Sequence, residues 1–478
     1  MSSSTPKPID FTKFYNVING KLDKGVNKRH TVNPATLDAN PDVPVASAQD
    51  VDKAVQAAQA ASEYWAKVPW FERKQALGNF VSALESHTDS FISMLVNEQG
   101  KPLFWARNEI ETAITFLRGF CSLSLPAEII EDTKDRRVTT SYVPIGVTVG
   151  IVPWNFPIHL ACGKLGPALL TGNAFILKSS LYTPYCGLKL AELGMQFFPP
   201  GVFQALSGDD TLGPLLTTHP EVNMVSFTGS ASNGVKVAEQ CARTLKRLTL
   251  ELSGNDPAII CADIDVTDVA SKIALFAFCN AGQICMSVKR VYVHESIYDH
   301  FLSTMVTVAE SFKVGSDAEC FLGPVANEAQ FSRLQSVYAD VESKMLRIAT
   351  GGTKPLQKKG YFFPATIVDS PPDDTSVVKE EQFGPIIPLL KWTDESDVVI
   401  RANSTGAGLG ASVWTRDNEQ AQRIANQLVA GNVWINTHAE IMPNTPFGGH
   451  KMSGIGMEWG VEGLKSYCNL RAVYTRLS

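Results

Sequence analysis

The stretch Val147-Thr-Val-Gly-Ile-Val-Pro-Trp-Asn-Phe-Pro157 decides the fold. An apolar β run stops at Pro153. Pro157 is placed to open a helix, because its fixed φ suits the first helical position and its missing N–H is no loss there. Strand, connection and helix make half of a βαβ unit, and the pattern continues. Val147–Val152, Ala174–Lys178, Val202–Leu206, Val222–Phe227 and Arg247–Glu251 read as strands, with helical runs between them such as Pro184–Gln196 and Ser232–Leu245. That rhythm predicts a mainly parallel sheet covered by helices. A second α/β stretch has strands at Arg290–His294, Ile386–Leu390, Ala411–Thr415 and Asn432–Ile435, with helices near 266–280, 297–312 and 418–429. Upstream, residues 50–122 read as helices from apolar spacing such as Val51-Asp-Lys-Ala-Val-Gln-Ala-Ala. The first 30 residues are polar and mixed and read as a loose arm. Charged residues from Glu128 to Arg137 form a turn feeding an exposed strand, Val138–Val143. Two α/β domains with a ligand cleft between them follow from this order.

The chain has 478 residues, 44% hydrophobic and 19% charged. That excludes a mainly disordered, collagen-like or coiled-coil chain, and the length suggests about three domains. The net charge of -6 carries no basic excess of the kind a nucleic-acid binder needs. The most apolar windows, Val143–Trp154 and Ile273–Met286, fall short of the ~18–20 residues of a membrane span. Met1-Ser-Ser-Ser-Thr-Pro-Lys-Pro8 lacks the apolar stretch of a signal peptide. The 9 cysteines are odd in number and dispersed, which fits reduced thiols in a cytoplasmic protein. No CxxC occurs. His294-Glu295 fails as the start of HExxH because Tyr298 stands where the second His belongs, and no metal site is expected.

Several motifs carry chemistry. Asn280-Ala-Gly-Gln-Ile-Cys285 places a Cys in a loop past an apolar helix, a candidate nucleophile; alone it reads equally as a buried inert thiol. Leu250-Glu251-Leu-Ser-Gly-Asn-Asp256 ends a strand with a carboxylate that burial can turn into a general base, or that is simply a paired surface carboxylate. In Pro153-Trp154-Asn155-Phe156-Pro157, Asn155 can offer an amide to an oxyanion, or cap the helix. Thr228-Gly229-Ser230 joins a strand to a helix and can cradle a phosphate. Lys178 ends an apolar strand on the ligand-binding edge of the sheet. Glu380-Glu381-Gln-Phe383 puts a carboxylate and an aromatic on one turn, and Pro446-Phe447-Gly-Gly-His-Lys-Met-Ser-Gly454 is a structured glycine loop.

In this order, from Asn33-Pro-Ala-Thr36 through Glu98-Gln-Gly-Lys-Pro102 to the last glycine loop, the motifs closely resemble the NAD(P)-dependent aldehyde dehydrogenase superfamily, in a non-acylating branch of bacterial and fungal members. The resemblance implies an α/β fold with a Rossmann-like cofactor domain at 1–123 and 144–253 and an α/β catalytic domain at 254–452. It also implies a small β element at 124–143 and 466–478 that bridges a homodimer or homotetramer. It gives Cys285 as nucleophile, Glu251 as the base that activates water, Asn155 as an oxyanion donor and Lys164 as a supporting lysine. Pro153, Trp154, Lys178, Gly229, Ser230, Leu252, Glu381 and Phe383 become contacts to NAD or NADP, and Glu458 a distant proton relay. Phe156, His159, Gly163, Cys279 and Phe447 line the substrate tunnel.

Departures from the family pattern carry information. Leu181 stands where the family usually has the Glu that would repel a 2′-phosphate, so NADP is not disfavoured. Ser253 replaces a usual Gly, and Ala407 a usual Tyr. The small Gly163 and Cys279 suggest a wider tunnel with a polar edge, for a bulky or functionalised aldehyde, and no cationic pair marks a dicarboxylic semialdehyde. An acylating, CoA-dependent dehydrogenase is an alternative that Glu251 argues against. A non-catalytic binding protein on the same fold is another, against which Cys285, Glu251 and Asn155 are all present.

Overall fold

The computed structural model describes residues 8–477. Val147–Ile151 stands inside an eight-stranded sheet. Its neighbours on one side are Met224–Thr228, Arg247–Glu251 and Gly454–Ile455; on the other they are Ala174–Lys178, Phe203–Leu206, Asn16–Ile18 and Lys21–Asp23. The five strands from Arg247–Glu251 across to Phe203–Leu206 run parallel. Their buried residues are nearly continuous rather than alternating, as expected of a sheet covered on both faces. A second sheet of seven strands runs from Ile348–Thr350 through Asp256–Ile260 to Asn432–Ile435. The protein is thus α/β, as the β–α rhythm implies, and the tail of the described chain returns as Cys468–Arg476 in a separate three-stranded sheet with Arg136–Pro144 and Glu128–Asp132. The charged turn before Arg136–Pro144 is laced by Arg136–Glu131 and Arg137–Asp132 ion pairs.

Two readings are corrected. The loose arm holds only in part: residues 1–7 lie outside the described residues, but Asn16–Ile18 is a buried strand that pairs with Phe203–Leu206. Asn16 anchors it by accepting the backbone N–H of Ser207 at 2.8 Å. Three residues are too few to show a period, so local composition hid the strand. The second is a helix at Glu328–Ser343, which the sequence reading did not mark and which proves to hold one wall of the site.

Helices Ala48–Trp65, Trp70–Ser86 and Leu103–Ser122 cover the first sheet. Ala48–Trp65 buries Val51, Ala54, Val55, Ala58 and Trp65, a 3–4-residue spacing, and starts at a Ser47–Asp50 capping box. No helix among the described residues is long and apolar enough to cross a membrane. All nine cysteines are free. At the centre of the core, Phe80 packs edge-on against Phe203 at 6.2 Å and against Phe198 at 5.7 Å. Phe80→Ala leaves a cavity there and is expected to destabilise the fold by about 3–5 kcal/mol, read as a lowered urea unfolding midpoint.

Candidate active site

The parallel strands all end on one edge of the first sheet, and the chemistry-bearing residues sit where they end. Glu251 closes Arg247–Glu251, Thr228 closes Met224–Thr228, and Pro153-Trp154-Asn155 follows Val147–Ile151. Facing that edge is the loop between the 3-10 turn Cys279–Gly282 and the strand Val288–His294, and Cys285 lies on it. Asn280 and Ala281 hold left-handed backbone, with φ of 49° and 55°, and strain of this kind concentrates at functional sites. The loop is clamped from below by the Ser253-Gly254 link. A Cβ on Gly254 would stand 2.1 Å from the carbonyl oxygen of Cys285, so only glycine permits this approach.

Two cavities meet here. One is about 420 Å³ and includes Phe156, His159, Cys279, Phe447, Glu458 and Trp459 in its wall. The other is about 250 Å³ and is walled by Pro153, Trp154, Gly229, Ser230, Leu252, Glu381 and Phe383, among others. Asn155, Glu251 and Cys285 line both. Three residues marked from sequence line neither. Lys164 is buried behind Glu458, forming an ion pair with it and donating to Ser226 Oγ at 3.0 Å. Ser226 in turn donates to Glu458 Oε1 at 3.0 Å. Lys178 ends its strand beside Arg29, Asp209 and Asp210, and burial pushes its pKa down to about 8. Gly163 is overlain by Trp459, whose Nε1 lies 2.8 Å from where a Cβ would be. The small residue therefore makes room for an indole rather than widening the tunnel.

The electrostatics favour proton transfer between neighbours. Burial, and then the charge of Glu458, push the Glu251 pKa up to about 7; the Cys285 thiol and Thr228 hydroxyl beside it pull the other way. Neither Glu251 oxygen has a hydrogen-bond partner of ordinary geometry. Burial, followed by the Glu251 charge, holds the Cys285 thiol well above the usual thiol range. A half-buried thiol thus rests protonated against a carboxyl poised near neutrality, the pairing a general base and its nucleophile require. Asn155 Nδ2 donates to the carbonyl of Gln283 at 3.0 Å, which leaves its second N–H free, and its Oδ1 has no partner. The amide therefore has an open donor beside Cys285.

Sequence reasoning missed the residues that hold this geometry. Lys101 Nζ donates to the Asn155 carbonyl at 2.8 Å and pairs with Glu109 at 2.5 Å, and all three are buried. The other Glu109 oxygen accepts the N–H groups of Ile158 at 2.8 Å and His159 at 3.2 Å, capping the helix that follows Asn155. Lys101 had surfaced only inside the Glu-Gln-Gly-Lys motif. On the smaller cavity, Arg333 and Gln330 of the Glu328–Ser343 helix hold the carbonyls of the Glu381-Gln382-Phe383 turn. Phe383 stands edge-on to Trp154 at 5.4 Å. Burial pushes the Glu381 pKa up to about 7, against the nearby Lys289 charge and the Gly254 N–H at 3.2 Å.

The smaller cavity fits a dinucleotide. The Ala231–Ala242 helix begins at Ser230 on its wall, where the positive end of the helix dipole suits a pyrophosphate, and the Ser253 and Ser230 hydroxyls accept the Ala231 and Asn233 N–H groups there. The Thr228 hydroxyl beside it is buried without a partner, and Glu381 offers acceptors for ribose hydroxyls.

The chain matches the Aldehyde dehydrogenase family over residues 22–473. Aldehyde dehydrogenase LUC3 of Fusarium sp is 41% identical, over 98% of this chain and 99% of its own length. The crystal structure of an Escherichia coli NADP dependent enzyme superposes with a TM-score of 0.95 at 34% identity, covering 98% of this chain and 99% of that one. The NAD+ complex of an aldehyde dehydrogenase from Bacillus cereus does so with a TM-score of 0.94 at 32% identity, covering 98% and 97%.

Glu109→Ala strands the Lys101 ammonium in a buried site. It is expected to destabilise the protein by about 3–5 kcal/mol, measured by urea unfolding. Glu109→Gln, which keeps an acceptor for the helix N–H groups, should fall between it and the native protein.

Proposed function

The chain belongs to the aldehyde dehydrogenase family, and on that premise we propose that it oxidises an apolar aldehyde to the carboxylic acid with NAD or NADP. The observation that carries the reading is the junction of the two cavities at Asn155, Glu251 and Cys285. An aldehyde reaching Cys285 through the larger cavity is within reach of whatever the smaller one holds.

Glu251 takes the proton of the Cys285 thiol, and the sulfur attacks the aldehyde carbon. The free N–H of Asn155 steadies the oxyanion of the resulting thiohemiacetal, a preorganised donor of the kind that lowers such barriers by a few kcal/mol. The dinucleotide, when bound, supplies the hydride acceptor. Gly229, Ser230 and the helix they open would hold its pyrophosphate, Glu381 and Phe383 its nicotinamide end, and Lys178 its adenine ribose. Glu251, free of its proton, then draws one from a water that attacks the thioester on Cys285, releasing the acid and restoring the thiol. Glu458, tied to Ser226 and Lys164, passes protons between Glu251 and the outside. Hydrolysis rather than transfer to CoA rests on this buried base. Leu181 offers no carboxylate against a 2′-phosphate, and its carbonyl accepts from the Arg29 guanidinium, so both dinucleotides are accepted. The larger cavity has Glu109, Glu251 and Glu458 but no Lys or Arg in its wall, which disfavours anionic semialdehydes.

The three-stranded sheet supports self-association. Ile129, Leu470 and Tyr474 are exposed on it, and its outer strands have open edges that a second copy can cover. We assign 124–143 and 466–478 to that contact, the parts built around the two parallel sheets to cofactor binding (1–123 and 144–253) and catalysis (254–452), and the cytoplasm as the site of action.

Four outcomes test this. With an aldehyde panel and either dinucleotide, absorbance at 340 nm should rise for the native protein and stay flat for Cys285→Ser. Glu251→Gln should give at most a burst of about one equivalent per site and then stall, because thioester hydrolysis needs the base. Since the base must be ionised, kcat should climb as pH rises through about 7, and Glu251→Gln should lose that climb. Leu470→Asp combined with Tyr474→Asp should shift the protein to a smaller species in sedimentation.

A further inference from the structure

The cavity leading to Cys285 has a largely apolar wall, and an imidazole stands in it. His159, in the helix Pro157–Leu170, lines the cavity and is 5% exposed, yet neither of its ring nitrogens has a hydrogen-bond partner in the protein. The ring is held firmly. Phe116 meets it edge-on at 4.7 Å, Trp459 lies at 5.6 Å, and its backbone N–H is bound by Glu109. Buried polar side-chain atoms in folded proteins nearly always find partners. A ring fixed in place with both nitrogens unpaired on a cavity wall is therefore built to bind what enters.

The chemistry of the site narrows the occupant. Burial, and then the charge of Lys101, push the His159 pKa down to about 4, so the ring is neutral near pH 7. A neutral imidazole offers one donor and one acceptor. That pair matches a hydroxyl, which both gives and accepts, better than a carboxylate or an ammonium. Asn108 and Thr112 also line the cavity, and the polar groups that touch the imidazole are placed otherwise. Both Glu109 oxygens are taken by Lys101 and the helix N–H groups. The Trp459 Nε1 sits over Gly163 against the helix.

We propose that the natural substrate is an aldehyde whose apolar body carries a hydroxyl group remote from the carbonyl, and that His159 is the residue that recognises this hydroxyl. The inference rests on the reading of the site as aldehyde-oxidising and names its substrate class.

The test compares phenylacetaldehyde and 3-phenylpropanal with their analogues bearing a ring hydroxyl at position 2, 3 or 4. For each pair the ratio of kcat/KM, hydroxylated over parent, is measured in the native protein, in His159→Phe and in His159→Gln. At least one hydroxylated position should be favoured at least about tenfold, as expected where a buried polar group is otherwise left unpaired. His159→Phe keeps the ring and removes both nitrogens, and should bring the ratio to about one. His159→Gln restores a neutral donor and acceptor and should recover part of it. Ratios near one throughout in the native protein, or a preference that survives His159→Phe, overturn the proposal. Calorimetric binding of phenylacetamide and its three hydroxyl analogues reads the same discrimination without turnover. Discrimination that depends on His159, in a protein that oxidises none of these aldehydes, would sink the proposed activity and keep the hydroxyl subsite. Turnover of the parents with no discrimination in either assay would do the reverse.

Discussion

The hydrogen bond from the Asn155 side chain to the Gln283 carbonyl, at 3.0 Å, ties the edge of the first sheet to the loop that carries Cys285. The site depends on it because the reacting groups come from opposite sides of that join. Glu251 ends one strand of the eight-stranded sheet and Asn155 follows another, whereas Cys285 lies on the loop that leads into the seven-stranded one. Burial on both sides, and backbone strain at Asn280 and Ala281 on one, fix the bond. The Asn155 backbone is pinned by Lys101, and the Gln283 side chain is held by Asn280, Pro324 and Ala326. The amide cannot swing to satisfy its free N–H elsewhere, so the donor stays aimed at the cavity. Preorganisation of this kind is what makes a single amide effective on an oxyanion.

Around that join the protein keeps acidic groups dry. Glu251 is buried and Glu381 half-buried, and both are pushed up to about 7. A carboxylate surrounded by apolar wall resists ionisation unless a cation or donors compensate. Lys164 faces the Glu458 side of the cavity, and Lys289 lies near Glu381. Neither neutralises Glu251 directly. An unpartnered Glu251 costs stability in the resting state, and the same incompleteness is what the proposed base needs near neutral pH. Stability and reactivity pull in opposite directions at this one residue, and the surrounding core supplies the margin.

How much of this was readable depended on how local each signal was. The parallel strands of the first sheet are legible within a residue or two, because a buried strand between helices announces itself by apolar runs and turn residues, whereas Asp256–Ile260 and Thr366–Asp369 of the second sheet went unmarked. Cys285, Glu251 and Asn155 were found through their motifs, each of which was ambiguous alone. Asn16–Ile18 was missed because three residues show no period. Lys101, Glu109, Gln330 and Arg333 were missed as working parts for a different reason. Their roles exist only through contacts far along the chain, such as Lys101 to Asn155 and Arg333 to the 381–383 turn. Nothing in the composition of a surface-like helix such as Glu328–Ser343 tells that it braces a turn some fifty residues later.

The tunnel shows why reading cavity size from residue size fails. Gly163 suggested open space, yet the volume it vacates is taken by Trp459, whose backbone sits at φ 58°, a costly conformation for a bulky residue. Strain of that kind persists only where packing overdetermines it. Here Phe116 and Phe447 grip the indole at 4.8 and 4.7 Å, and the Phe447–Glu458 backbone pairing fixes the turn just before it. A small residue on the helix and a large one after the glycine loop fill this space together, so the wall is closed rather than open. The same packing keeps His159 rigid. The indole that fills the space above Gly163 is the same one that stands against the imidazole, and a tunnel merely widened at Gly163 would leave that ring without its second wall.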